Sequence, residues 1–317
     1  MIKKIRDLFE SVKSVAIFFH VNPDGDAIGS ALALKYALEG LNKKVDVYSQ
    51  DTISNTFDYI SAQKTIKTNV ESKKHDLGII VDCPEIKRIG TMSAVFNNCK
   101  KSLNIDHHLY NGNFANLTLV EENASSTCQI IFGLFKDLKI EFTDMIYKCL
   151  YTGISTDSGC FMFNLNPKIF RMTSEIVRHI DCTSINNANF RERTLSQYKL
   201  YAKGFSGIEL WLDNYLATVV LTEQDLHLVD ATIQDTDGLV FQLSSLKDAK
   251  VIALLCEEKK GQYKVSLRSK TEDVSIIAKA FGGGGHKFAS GCKIYGTKNT
   301  VRNKLIDKVR EISCTEL

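Results

Sequence analysis

Residues 14–41 read SVAIFFHVNPDGDAIGSALALKYALEGL, and no other stretch limits the fold as much. SVAIFF is apolar along its whole length, so a strand formed there must be buried on both faces. ALALKYALEGL carries the helical period, and the turn between them holds Pro23 and Gly25. The same order returns further on. VDVYS (45–49), DLGIIVD (76–82) and KSLNID (101–106) read as strands, with helices over 27–41, 125–138, 143–155 and 167–180. Pro167 suits the first turn of the last of these helices. Two-sided apolar strands that alternate with helices predict a parallel sheet covered on both faces.

Beyond Asp181 the pattern changes. Residues 183–211 read as a polar connector running into a helix, TLSQYKLYAKGFSGIEL. New strands follow at YLATVVL, KVIALLC and QYKVSLR, then the helix VSIIAKAF, a glycine run, and a last helix over 299–312. A chain of 317 residues has length for about two domains. The expected architecture is α/β: a parallel-sheet N-terminal domain (1–182), a helical linker (183–211) and a smaller C-terminal α/β domain (212–317), with the active site in the cleft between the domains.

Composition removes several function classes. The net charge of +3 lacks the basic blocks of a duplex-DNA or membrane surface. Nine cysteines form no CxxC pair, which argues against a zinc ribbon or a disulfide framework. MIKKIRDLFESVKSV reads as an amphipathic helix, without the apolar core of a signal peptide. No apolar run reaches the about 20 residues of a membrane span. A cytoplasmic protein with reduced thiols is expected.

In open parallel sheets ligands bind beyond the carboxyl ends of the strands. Here those ends carry His20, Asp24 and Asp26 after the first strand, Asp82 after DLGIIVD, and Asp106-His107-His108 after KSLNID. Asp157, in TGISTDSGCF, is expected in the turn after helix 143–155. Each aspartate taken singly reads as a helix cap, and each histidine as a surface or core residue. Four carboxylates and two imidazoles among them suit a pair of divalent ions. Oxygen and nitrogen donors without thiolate favour Mn²⁺, with Mg²⁺ or Co²⁺ as alternatives. Such a pair activates a water for in-line attack on phosphorus. His75, His179 and His227 have no such company and read as surface residues.

GGGGH (282–286) reads either as an anion nest of successive backbone N–H groups or as a flexible turn. No Gly-Lys-Ser/Thr follows, so it is not a Walker loop. Arg268, in SLRSK, can fork onto a phosphate. Ser125, Ser126 and Thr127 read equally as helix caps and as phosphate contacts.

These motifs together resemble the DHH phosphoesterase superfamily, whose naming triplet stands here as Asp106-His107-His108. HVNPDGDAIGS, VDCPEIKRIG, NIDHH and TGISTDSGCF are similar to its four motifs in order. FGGGGHKFASG is similar to the signature of the DHH-associated C-terminal domain. The two-domain layout and RERTLSQYKL are most similar to the oligoribonuclease/pAp-phosphatase branch.

The resemblance implies roles. His20 and Asp24 would bind one metal ion, Asp26, His107 and Asp157 the other, and Asp82 both. Asp106 would orient the neighbouring histidine, and His108 would contact the scissile phosphate. Arg268, Gly283, Gly284, Gly285 and His286 would hold the substrate's other phosphate or its terminal nucleotide.

The implied activity is manganese-dependent. It cleaves very short RNA, about two to five nucleotides, to 5′-mononucleotides, and removes the 3′-phosphate of pAp (3′-phosphoadenosine 5′-phosphate) to give AMP. The mild net charge agrees, since tracking a long polymer wants a basic groove. No long duplex and no membrane is an expected partner, and a homodimer is compatible. Hydrolysis of cyclic di-AMP or pApA is the runner-up. A non-catalytic nucleotide-binding protein would need lost ligands, and none is lost.

Overall fold

A computed structural model describes residues 1–69, 73–108 and 111–315, in two compact units, Met1–Glu192 and Arg193–Leu317. The first unit begins with α1 (Ile2–Glu10), β1 (Ser14–Phe18), α2 (Gly25–Gly40) and β2 (Lys44–Tyr48). There follow α3 (Ala62–Thr65), β3 (Ile66–Lys67), β4 (Leu77–Val81), α4 (Ser93–Phe96), β5 (Lys101–Asp106) and β6 (Leu117–Val120). Four helices complete it: α5 (Thr127–Leu138), α6 (Asp144–Asp157), α7 (Pro167–Ile176) and α8 (Cys182–Asn186).

Its six strands are all parallel, in the order β3-β2-β1-β4-β5-β6. The order reverses between β1 and β4, which opens a crevice at their carboxyl ends. Both faces are covered, as the apolar strands require. Val15, Ile17, Ile79 and Ile105 pack against α1, α2, α5 and α6. Ala16, Phe18 and Ile80 face the other way, onto Ile89, Met92 and Phe96.

The second unit contains α9 (Leu195–Ser206), β7 (Glu209–Trp211), β8 (Leu216–Leu221), α10 (Glu223–His227), α11 (Thr236–Leu243), β9 (Val251–Lys259) and β10 (Gln262–Ser269). It ends with α12 (Val274–Ala280), β11 (Gly284–His286), β12 (Ala289–Tyr295) and α13 (Lys298–Thr315). Its sheet runs β11-β12-β10-β9-β8-β7 and is antiparallel except for β8 beside β9. One face packs on α12 and α13, the other on α9 and α11.

Residues 183–211, read from sequence as a linker, are shared between the units. Ile185 is buried in the first core, and Leu200 and Tyr201, on α9, are buried in the second. A capping box of Thr194 and Gln197 starts α9 just past the change of unit. His75 also departs from expectation. It is buried rather than on the surface, with Nε2 at 2.9 Å from Asp46 and its ring edge-on to Tyr48. Among the described residues no helix is long and apolar enough to cross a membrane. Eight cysteines are free thiols.

Candidate active site

The three central strands end on the residues that carry chemistry. β1 runs out into His20, β4 into Asp82, and β5 closes on Asp106 ahead of His107 and His108. Asp24 is the N-cap of α2, its Oδ1 accepting from the N–H groups of Asp26 and Ala27, both at 3.0 Å. Asp26 sits in the first turn of the same helix. Asp157 is the last residue of α6, where sequence reading put it in the turn beyond.

Distances join these ends into one cluster. His20 Nε2 lies 3.5 Å from Asp82 Oδ2 and 3.9 Å from Asp24 Oδ2. His107 Nε2 lies 3.5 Å from Asp82 Oδ1 and 3.3 Å from Asp157 Oδ2. Three donor sets, His20–Asp24–Asp82, Asp26–Asp82–His107 and Asp82–Asp106–His108, each hold their donor atoms within 4.8 Å of one another. Asp82 is common to all three. Its backbone is left-handed, with φ of 50°. Aspartate is one of the few side chains that visit that region, and such strain collects at functional sites.

The ring nitrogens are sorted by their second partners. His20 Nδ1 lies 2.9 Å from Val21 O, and His107 Nδ1 lies 3.3 Å from Ala124 O. A carbonyl oxygen can only accept, so each Nδ1 carries a hydrogen, and Nε2 is the nitrogen turned toward the carboxylates. Asp106 serves differently. Its Oδ1 accepts from His108 Nδ1 at 2.7 Å and from the His107 N–H at 2.9 Å, and its Oδ2 accepts from Asn111 Nδ2 at 2.8 Å. Asp106 therefore orients His108 and the backbone of the triplet.

Asp26 is held by α5. Its Oδ2 accepts from the Thr127 N–H at 2.7 Å and its Oδ1 from the Cys128 N–H at 3.0 Å, while the Thr127 hydroxyl donates to Asp82 Oδ1 at 3.2 Å. A helix N-terminus favours this negative charge. Ser126 is the cap of α5, accepting from the Gln129 N–H, and the Ser125 hydroxyl donates to Gln129 Oε1. The 125–127 segment is thus taken up in capping and in supporting the carboxylates. Small residues bring α2 and α6 together. A Cβ at Gly29 would lie 2.4 Å from Cys149 O, and one at Gly153 would lie 2.3 Å from Cys128 Sγ and 2.4 Å from Asp26 Oδ1.

So many buried carboxylates distort each other's titration. Burial, reinforced by the Asp82 charge, pushes the Asp26 carboxyl up to about 7, and burial drives Asp157 well above the ordinary carboxylate range. Burial works against the charge on Asp82 too, but the surrounding imidazoles of His20, His108 and His107 hold it well below its usual value. Burial would lower His107, yet Asp157, Asp82 and Asp26 outweigh it and raise the ring to about 9. The cluster holds more negative charge than its own side chains balance.

The residues fit a divalent cation on a further observation. Asp157 Oδ2 is buried and accepts no hydrogen bond, although His107 Nε2 faces it at 3.3 Å. A buried carboxylate oxygen and an imidazole nitrogen turned toward one point is the arrangement a shared ion completes. The donors are carboxylate and imidazole, which suit Mn²⁺ or Mg²⁺ better than a thiolate-seeking metal.

In the second unit the glycine run is not an anion nest. Gly282, with φ of 73°, and Gly283 donate their N–H groups to Lys279 O and Ala278 O, which closes the C-terminus of α12 in a Schellman pattern. Gly284, Gly285 and His286 form β11, the edge strand, paired with Gly291, Ser290 and Ala289. A Cβ at Gly283 would lie 2.1 Å from Gly291 O, so the close approach of these strands demands glycine there. Arg268 lies near the end of β10, half-buried, with Nη1 donating to Leu267 O at 2.9 Å.

Sequence reasoning missed Asn104, Asn111 and Cys128 as supports. Asn104, wholly buried in β5, donates to Ile80 O and Cys83 O, both at 3.2 Å, on either side of Asp82. An asparagine inside an apolar strand was the available signal, since a buried amide needs partners.

The family model for the N-terminal domain of the DHH family matches residues 14–154, and the DHHA1 domain model matches residues 218–312. The chain thus carries a DHH domain and a DHHA1 domain. It is similar to the probable bifunctional oligoribonuclease and PAP phosphatase NrnA of Streptococcus mutans, 27% identical over 92% of this chain and 93% of the relative. It is also similar to the bifunctional oligoribonuclease and PAP phosphatase NrnA of Thermus thermophilus, 28% identical over 98% of this chain and 94% of that one. An exopolyphosphatase-related protein of Bacteroides fragilis has a similar structure. Its TM-score is 0.87 at 28% identity, covering 98% of this chain and 96% of the other.

Proposed function

We propose that this chain is a manganese-dependent phosphoesterase that hydrolyses short oligoribonucleotides to 5′-mononucleotides and converts pAp to AMP. The observation that carries the reading is the position of Asp82, a member of three donor sets at the carboxyl ends of adjacent strands. Likeness to NrnA proteins along almost the whole chain supports the choice of substrates.

His20 and Asp24 would hold one ion, Asp26, His107 and Asp157 would hold the other, and Asp82 would serve both. When bound, a pair of divalent ions supplies positive charge for the phosphate and a water acidic enough to attack it in line. The protein's own part is orientation. Asp24 is fixed by the first amides of α2, and Asp26 by those of α5. Asp106 holds Nδ1 of His108 and leaves its Nε2 to meet the scissile phosphate. Arg268, the outer edge of β11 (Gly284 and Gly285, with Gly283 as its anchor) and His286 hold the distal phosphate or terminal nucleotide. Both reactions break a P–O3′ bond, so one centre serves both. Free thiols accord with action in the cytoplasm.

The test is a turnover panel with manganese: pAp, a dinucleotide, a pentanucleotide, pApA, cyclic di-AMP and pyrophosphate. Fastest turnover of pAp and the dinucleotide is expected. No turnover of any phosphate ester overturns the reading, and a clear preference for cyclic di-AMP replaces it with the runner-up.

A further inference from the structure

VDCPEIKRIG contains one half-buried charged side chain to which nothing above gives a role. Arg88 lies in the 3₁₀ segment Ile86–Met92, which starts four residues past Asp82. Its carbonyl oxygen accepts from the Val21 N–H at 2.7 Å, and its own N–H donates to Glu85 O at 3.0 Å. The Arg88 backbone is therefore pinned between the loop that carries His20 and the loop that carries Asp82. Two neighbours fix the segment beyond it. Ile89 is buried against the sheet. Gly90, with φ of 59°, turns where a Cβ would lie 2.0 Å from Gln50 Oε1, and that oxygen accepts from the Thr91 N–H at 2.9 Å.

The Arg88 side chain is half-buried, and among the described residues no hydrogen bond or ion pair engages its guanidinium. Its charge is nonetheless felt at His20 and at Cys83. A guanidinium has five donors, and arginine removed from water usually spends them on a carboxylate or phosphate. The nearby carboxylates face imidazoles instead. A fork of donors beside a cluster built for phosphate chemistry is matched to an anion that arrives with the substrate.

We propose that Arg88 is a substrate-binding residue whose guanidinium takes a non-bridging oxygen of the scissile phosphate from the His20 side. The proposal rests on the phosphoesterase reading above. It differs from the role given to Arg268, which would hold a phosphate that only some substrates possess. The scissile phosphate is common to all of them, so Arg88 acts on every substrate.

The experiment compares wild type, Arg88→Ala and Arg88→Lys, each loaded with manganese. It uses pAp and bis-p-nitrophenyl phosphate, with bound metal, melting temperature and calorimetric binding of inorganic phosphate measured alongside. Arg88→Ala should lose roughly 100-fold in kcat/KM on both substrates, the scale for one donor lost at developing charge. It should keep its manganese and its melting temperature and bind phosphate more weakly. Arg88→Lys should recover part of both losses, as a point charge without the fork. Unchanged turnover, a loss confined to pAp, or loss of manganese would each overturn the proposal while the phosphoesterase reading stands. An inactive wild type would instead bring down that reading, and this one with it. If Arg88→Ala fails to fold, a lysine variant with wild-type kcat/KM on both substrates and wild-type phosphate binding overturns the fork.

Discussion

Gly153→Ala should separate the fold from the chemistry. The added methyl would lie 2.3 Å from Cys128 Sγ, 2.4 Å from Asp26 Oδ1 and 3.0 Å from Asp26 Cα. Ordinary carbon contacts begin near 3.5 Å, so something must retreat by about 1 Å. α6 has close neighbours in α2 and α5, so the movement falls on the Asp26 carboxylate and on the turn of α5 that holds it. Overpacking of this kind costs about 1–3 kcal/mol. Replacing glycine by alanine inside a helix returns up to about 1 kcal/mol. The net loss is then about 0–2 kcal/mol, or a fall in Tm of at most about 8 °C for a unit of this size. Displacing a ligand by about 1 Å costs far more in rate, on the order of 100-fold. The assay is a melt by circular dichroism alongside kcat/KM for pAp with manganese. Gly133→Ala is the control, because a Cβ at Gly133 meets nothing within 4 Å and should leave activity alone while raising Tm slightly. Activity of Gly153→Ala within about twofold of wild type, despite a 1 Å clash, would refute the reasoning. So would a loss that merely tracks unfolding.

Asp82→Asn should lose bound manganese and most turnover together, and near-normal turnover would dismiss Asp82 as the shared ligand. His108→Ala should retain manganese yet lose at least about 100-fold in kcat; loss of metal would show that the two histidines of the triplet are exchanged in role. Arg268→Ala should lower kcat/KM for pAp and 5′-phosphorylated dinucleotides by about 10- to 100-fold and leave bis-p-nitrophenyl phosphate nearly unchanged, an equal loss on both pointing to chemistry or fold instead. Burial works against the charge on Asp46, but Lys73, His75 and Lys67 outweigh it and hold its carboxyl well below the usual range. A depressed folded pKa contributes stability above the unfolded value, near 3.9, that is lost as pH falls through the folded one. The Tm deficit of Asp46→Asn should therefore be full at pH 7 and shrink below about pH 4, and a deficit constant with pH would assign the effect to packing.

What could be read in the sequence was what local chemistry dictates. Apolar runs such as SVAIFF and DLGIIVD declared β1 and β4 because a strand buried on both faces needs no partner to be recognised. The clustered carboxylates and imidazoles could be found because each follows such a strand or flanks its helix. Less legible were elements whose identity depends on partners distant in sequence. β3 and β6 are short and partly exposed edge strands, fixed only by pairing with β2 and β5. GGGGH offered no periodicity, and its division between a helix cap and an edge strand came from contacts with Gly291 and Cys292. His75 looked like a lone polar residue, and only Asp46, far away in sequence, explains its burial. The support Asn104 was hidden for the same reason, since the carbonyls of Ile80 and Cys83 explain its burial.

The left-handed backbone of Asp82 has a consequence for how the molecule lives rather than how it reacts. At that position glycine would fold more comfortably, since aspartate there combines an unfavourable φ with a charge that works against ionisation of the buried Asp26 and Asp157. The chain keeps a locally frustrated residue at the centre of its sheet. Any cation that binds only the folded state relieves this frustration and stabilises by mass action, about 2.7 kcal/mol at one hundred times its dissociation constant. The lifetime of the folded protein should then follow the supply of divalent ions, with the same residue setting both its activity and its persistence.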